Sequence, residues 1–183
     1  MDCIIYPLDT IGRSTSSLKK DPFNSGNPEL DMYFKQYAQK NDRDGIAKTF
    51  VAFSQEGSQI VGYYSCCTGV LQREDLPADL RERLPRYPIP AILIAKLAVD
   101  RSMQGRGLGK QLLFHALARA IDVSRIVGVY GVRVDAIDEN AKEFYQKFGF
   151  LECQETALSL FMLMNTITQA ANVQRSPSDP TAT

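Results

Sequence analysis

The residues best placed to do chemistry form one short run, Gln104-Gly105-Arg106-Gly107-Leu108-Gly109-Lys110. It follows an almost continuously apolar stretch, Ala91–Val99, and opens one with Leu112, Leu113, Leu117 and Ile121 at helical spacing. A glycine-rich turn from strand into helix lets the backbone approach a ligand closely. The free N–H groups of the first helical turn and the positive end of the helix dipole then attract a phosphate. Here the N–H groups from Arg106 to Lys110 are the donors. Two common phosphate loops do not fit. A dinucleotide fingerprint needs G-x-G-x-x-G, and the third glycine arrives one residue early. A P-loop needs glycine at position 104 and Ser or Thr at 111, and both are Gln. A glycine-rich turn with no ligand stays open at this point, although each glycine costs conformational entropy.

The elements that must position this loop read as follows. Ile4–Pro7 suggests a short first strand and Arg13–Lys20 a polar loop. Asn27-Pro28-Glu29 has the chemistry of a helix start, and Leu30, Tyr33, Phe34, Tyr37 and Ala38 continue at helical spacing to about Asn41. Lys48–Phe53 and Ile60–Val70 read as an antiparallel hairpin turning around Gln55-Glu56-Gly57. A short charged helix, Asp75–Leu84, and a proline-rich stretch precede the buried strand Ala91–Val99, whose only charge is Lys96. After a helix from about Leu108 to Arg125 come a strand over Ile126–Ala136 and a helix over Glu139–Lys147 stopped by Gly149. The last strands fall within Leu151–Asn165. From Thr166 the chain turns polar and reads as a disordered tail. This order predicts an α/β domain over residues 1–165, with a mixed sheet and helices on both faces.

The 183 residues carry 44% hydrophobic and 23% charged side chains with a formal net charge of zero, so no global field draws the chain to nucleic acid or to an anionic membrane. No apolar run is long enough to span a bilayer, and no signal peptide opens the chain. Cys3, Cys66, Cys67 and Cys153 form no CxxC pair, and with the single His115 they make a metal site unexpected. They read as reduced thiols of a cytoplasmic protein.

Several single residues allow two readings. Tyr145 is, on periodicity alone, one more packed aromatic beside Phe144 and Phe148. His115 reads as a packed or solvated histidine. Arg73, Arg81, Arg83 and Arg86 could contact phosphates. They could equally belong to a salt-bridged helix, because Glu74, Asp75, Asp79 and Glu82 are interleaved with them. Tyr63, Tyr64, Cys66 and Cys67 read as core residues that also line an acceptor side.

Gln104-x-x-Gly107-x-Gly109 resembles the signature of the GNAT acetyltransferases, Gln/Arg-x-x-Gly-x-Gly/Ala. Ala141-Lys142-Glu143-Phe144-Tyr145-Gln146-Lys147-Phe148-Gly149-Phe150 resembles that family's late helix. Within the family, Phe23-x-x-Gly26-x-x-x-Leu30-Asp31, Thr49-Phe50-Val51, Val61-Gly62-Tyr63-Tyr64, and Leu84 to Ala91 through Lys96-Leu97-Ala98-Val99-Asp100 are similar to the GNAT toxins of bacterial toxin–antitoxin pairs. Three departures stand out: Lys96 where many toxins have Arg, Asp138 where many GNATs have Asn, and neutral charge where the tRNA-acting toxins tend to be basic.

The resemblance implies a GNAT fold with a mostly antiparallel sheet and a splayed central strand pair. It implies acetyl-CoA as the acetyl donor, bound by Gln104, Gly105, Arg106, Gly107, Leu108, Gly109 and Lys110. The freed backbone of Leu97, Ala98 and Val99 would bind the pantetheine arm and polarise the acetyl carbonyl, with Phe144 alongside and Tyr145 as the acid for the leaving thiolate. The acceptor would be the α-amine of aminoacyl-tRNA, the partner a ribbon-helix-helix antitoxin, and the assembly a homodimer. Two other functions remain open: acetylation of a small amine or protein N-terminus, and a CoA-binding module acting through protein association.

Overall fold

A computed structural model describes residues 3–54 and 59–175. In chain order these residues form β1 (Ile5–Pro7), α1 (Thr15–Lys19), α2 (Pro28–Met32), α3 (Ala38–Arg43), β2 (Lys48–Phe53), β3 (Ile60–Leu71) and α4 (Ala78–Arg81). There follow β4 (Ile89–Val99), α5 (Leu108–Ser124), β5 (Gly131–Asp135), α6 (Glu139–Gln146), β6 (Leu151–Glu152), β7 (Ser159–Leu163) and α7 (Met164–Arg175). The α/β class read from the sequence is the one observed. The turn expected around Gln55-Glu56-Gly57 lies outside the described residues. The chain packs as two compact units. The first holds the residues up to Gly69 with Ile92–Arg119, and the second holds Val70–Ala91 with the residues from Ala120 onward.

In the first unit the strand order is β1-β2-β3-β4. β1–β2 and β2–β3 are antiparallel, with Val51 opposite both Tyr6 and Tyr63. Strand alternation sends Tyr63 to one face and Gly62 and Tyr64 to the other. Tyr63 is fully buried with Leu8, Leu18, Phe23, Phe34, Ala38, Val51, Ile60 and Ala98. Its ring stacks on Phe34 at 4.8 Å, and its hydroxyl donates to the Leu30 carbonyl at 2.8 Å. Each of the buried Leu, Val, Ile and Phe side chains contributes roughly 1.5–3 kcal/mol by leaving water. On the opposite face Gly62 admits α5. A Cβ there would stand 3.0 Å from Leu112 Cδ1 and 3.2 Å from Leu108 Cδ2.

The helix expected from Asn27 is present, and Asn27 caps it by accepting from the N–H groups of Glu29 and Leu30. It runs through α2 and α3 with a π-helical turn, Tyr33–Tyr37, between them. The loop expected over Arg13–Lys20 is instead α1. Ser14 Oγ accepts from Ser17 N–H at its start, and Leu18 is buried beneath it.

In the second unit the strand order is β5-β7-β6, all antiparallel, with Val132 opposite Met162 and Leu151 opposite Phe161. Leu71, Leu76, Ile89, Ala91, Cys153 and Phe161 form its core. The helix expected over Asp75–Leu84 is reduced to a 3-10 turn, Arg73–Asp75, and α4. The strand expected over Ile126–Ala136 begins only at Gly131. Ile126 is 85% exposed and Val127 55%, because these β-branched residues follow α5 in a turn with no strand beside them. The tail also needs correction. Residues from Thr166 to Arg175 continue α7, which packs on β5 and β7 and buries Ile167. Residues 176–183 lie outside the described part.

Candidate active site

The glycine loop is in the first unit and is built from both sides. Asp100 starts it. Its Oδ1 accepts from the N–H and hydroxyl of Ser102, and its Oδ2 accepts from the N–H of Asn24 at 2.8 Å. Burial pushes the Asp100 carboxyl up, but these hydrogen bonds and nearby Lys35 outweigh it and hold the group below the usual carboxylate range. The Arg101 N–H returns a bond to Asn24 O, and its guanidinium lies on Gly26, where a Cβ would meet Nε at 2.6 Å. Gln104 then braces the loop, with Nε2 donating to Val99 O at 3.0 Å and to Ser25 O at 2.8 Å. The signature glutamine therefore spends its amide donors on the protein's own backbone.

Gly105 and Gly107 have φ of +72° and +85°, a left-handed region that favours glycine. A Cβ at either position would meet nothing within 4 Å, so space remains open above the loop. Leu108 is buried against β3 and fixes the start of α5. The first intrahelical bond at this end runs from Gln111 N–H to Gly107 O. The N–H groups of Leu108, Gly109 and Lys110 precede it, and a helix provides no internal acceptor for them. Open space, left-handed glycines and free helical donors fit a pyrophosphate. Arg106 and Lys110 are exposed beside them.

Along β4, Ala98 is buried with Tyr63, while Leu97 and Val99 are half-buried. Lys96 shares the face of Ala98 and holds its ammonium 5.8 Å from the ring centre of Tyr33. Across the sheet, Tyr64 OH and His115 Nδ1 lie 2.8 Å apart, with Phe50 stacked on Tyr64 at 4.9 Å. Burial and Arg119 lower the affinity of His115 for a proton, and His115 is therefore a packed, neutral residue. Cys66 and Cys67 are half-buried beside it in β3, and burial pushes the Cys66 thiol up to about 11.

In the second unit, Asp138 serves as N-cap of α6, its Oδ1 accepting from Ala141 N–H at 2.8 Å. Seven residues on, Tyr145 is buried, with Phe144 5.1 Å and Phe150 5.5 Å away between ring centres. Burial raises its phenol further above the ordinary tyrosine value, so it stays protonated at any physiological pH. Phe144 is half-buried and also meets Phe148 edge-on at 5.1 Å. Gly26 and Asp100 were part of the resemblance, but the bracing role they share with Asn24 was not legible there. The Asp100-x-Ser102 pattern is the local signal that could have shown it for Asp100. Among the described residues no group of His, Cys, Asp and Glu could hold a metal ion.

The model of the acetyltransferase (GNAT) domain matches residues 45–152. The chain belongs to this family of acetyltransferases. It is 37% identical over 142 residues, 78% of this chain and 84% of the relative, to the tRNA-acetylating toxin of Mycobacterium tuberculosis (strain ATCC 25618 / H37Rv). Its fold is similar to AtaT complexed with acetyl-methionyl-tRNAfMet, with a TM-score of 0.79, 27% identity, and 93% of this chain and 99% of that one covered. It is also similar to a mutant AtaT toxin bound to the C-terminus of the antitoxin AtaR and acetyl-CoA, with a TM-score of 0.75 and 25% identity over 94% of this chain and 99% of that one.

Proposed function

We propose that this enzyme moves the acetyl group of acetyl-CoA to the α-amino group of an aminoacyl-tRNA and so acts as a translation-blocking toxin. The likeness to a tRNA-acetylating toxin over most of both chains carries this reading. The catalytic family sets a purely non-catalytic CoA-binding module aside.

Acetyl-CoA supplies the activated thioester. The N–H groups from Arg106 to Lys110 hold its pyrophosphate, with Gly105 and Gly107 giving the backbone its approach and Gln104 its rigidity. Backbone groups of Leu97, Ala98 and Val99 bind the pantetheine arm and polarise the carbonyl. One such preorganised donor contributes roughly 3–4 kcal/mol. Phe144 packs beside the arm. Tyr145, held neutral by burial, donates its hydroxyl proton toward the departing sulfur, and the proton released by the attacking amine restores it. A strong base is dispensable, because an α-amine titrates near about 8 and a lysine amine near about 10.4. This favours an α-amino acceptor.

The same reading includes a cytoplasmic homodimer controlled by an antitoxin of the ribbon-helix-helix type. No helix among the described residues is long and apolar enough to cross a membrane. Net charge zero favours a second reading, acetylation of a small amine or protein N-terminus. Labelled acetyl-CoA, a pool of charged tRNAs and Tyr145→Phe separate the two. Transfer to tRNA that falls by about 100-fold or more in the variant, with acetyl-CoA still bound, is the expected result. Transfer only to small amines or proteins would select the second reading.

A further inference from the structure

We propose that the connection between β3 and β4, residues 72–88, docks the phosphate backbone of the RNA acceptor through Arg73, Arg81, Arg83 and Arg86. The inference rests on the aminoacyl-tRNA reading and adds the surface that recognises it. Leu76, Leu80 and Leu84 recur every four residues and pack with Leu71 and Ile89 in the core of the second unit, which fixes the inner side of the segment. Arg83 and Arg86 point outward and are exposed, while Arg73 and Arg81 are half-buried.

The interleaved acids would be expected to pair with these arginines, yet they do not. Among the described residues none of the four makes an ion pair. Asp75 is turned inward, 3% exposed, and accepts from Thr156 Oγ1 at 3.2 Å. Arg81 reaches only a neutral partner, Gln154 Oε1, at 2.8 Å. The Nε atoms of Arg73 and Arg81 are buried without any hydrogen-bond partner. A guanidinium carries five donors suited to paired oxygens, and a phosphate supplies such oxygens.

A phosphate backbone presents anions at regular intervals, which suits four arginines spread along one pinned segment. Tyr87, 63% exposed between Pro85 and Pro88, adds a ring on which an unstacked base can lie. The chain has zero net charge, and four acids match the four arginines of this segment, so attraction to RNA has to come from the local placement of the exposed Arg83 and Arg86.

The test compares kcat/KM for charged tRNA with kcat/KM for an amino-acid methyl ester, which offers the same α-amine without phosphates. Wild type, Arg83→Glu with Arg86→Glu, and Arg83→Lys with Arg86→Lys are measured, with thermal unfolding as the folding control. In the glutamate variant the ratio of the two constants should fall about tenfold or more, and the lysine variant should recover part of it. The slope of log kcat/KM for tRNA against log salt should flatten by about 0.7–0.9 for each phosphate that the variant no longer neutralises. A wild-type ratio and slope in the glutamate variant overturn the proposal. Wild-type enzyme that acetylates the ester but never charged tRNA fails the functional reading itself, and the docking surface with it.

Discussion

Gly107 sets the conformation of the loop at a single residue. Its φ of +85° is one that a side chain disfavours by about 1–2 kcal/mol, although a Cβ would strike nothing. Gly107→Ala therefore separates backbone geometry from crowding. If the loop holds the donor's pyrophosphate, the free loop of the variant relaxes from this φ and must be pulled back on binding, and calorimetry should show acetyl-CoA affinity reduced roughly 5–30-fold, the factor to which that strain converts, while the fold persists. An unchanged Kd would remove this loop from the binding site. Gln104 illustrates a different use of a motif residue. Both bonds of its amide nitrogen go to backbone carbonyls, so it keeps the loop in shape.

At the scale of elements, α6 presents Tyr145 and Phe144, and its start depends on Asp138. Asp138→Ala removes the cap, which should cost about 1 kcal/mol and lower the melting temperature by about 2–4 °C. Asp138→Asn should leave it unchanged. An equal loss in both would mean the carboxylate charge matters more than the cap. The helices around the chemistry were legible because they carry explicit punctuation: Asn27 and Pro28 open one, the glycines precede another, and Gly149, at φ +89°, follows α6. The strands β2, β3 and β4 were legible from β-branched and apolar runs. Ile126 and Val127 misled by the same rule, since β-propensity expresses itself only against a neighbouring strand. The π-helical turn at Tyr33–Tyr37 and the braces from Asn24 and Ser25 are long-range or geometric features, and a local pattern does not encode them. Nor did the interleaved charges of residues 73–86 reveal that Asp75 makes no ion pair with these arginines. That depends on Asp75 turning inward to Thr156, 81 positions along the chain.

At the scale of the whole molecule, the extent of the folded chain decides what a functional fragment must contain. The polar composition after Asn165 suggested an end to the domain, but composition averages over a helix that is polar on one side only. In α7, Ile167 is 4% exposed and Met164 9%, while Val173 is 76% exposed, so the helix is seated at its start. Thr168 Oγ1 donates to Met164 O at 2.9 Å, and Met164 N–H donates to Tyr130 O at 2.9 Å. The second of these bonds ties the helix start to the residue that precedes β5. A chain cut after Asn165 loses the burial of Ile167, roughly 1.5–3 kcal/mol, and also the first turns of α7. Its melting temperature should fall by about 3–12 °C. A chain cut after Arg175 keeps both and should melt with the full-length protein. Equal melting of all three would return the boundary to residue 165 and make α7 an appendage. If the shorter chain melts low but acetylates charged tRNA at the full-length rate when cooled, α7 supports the unit that carries Tyr145 without shaping its chemistry.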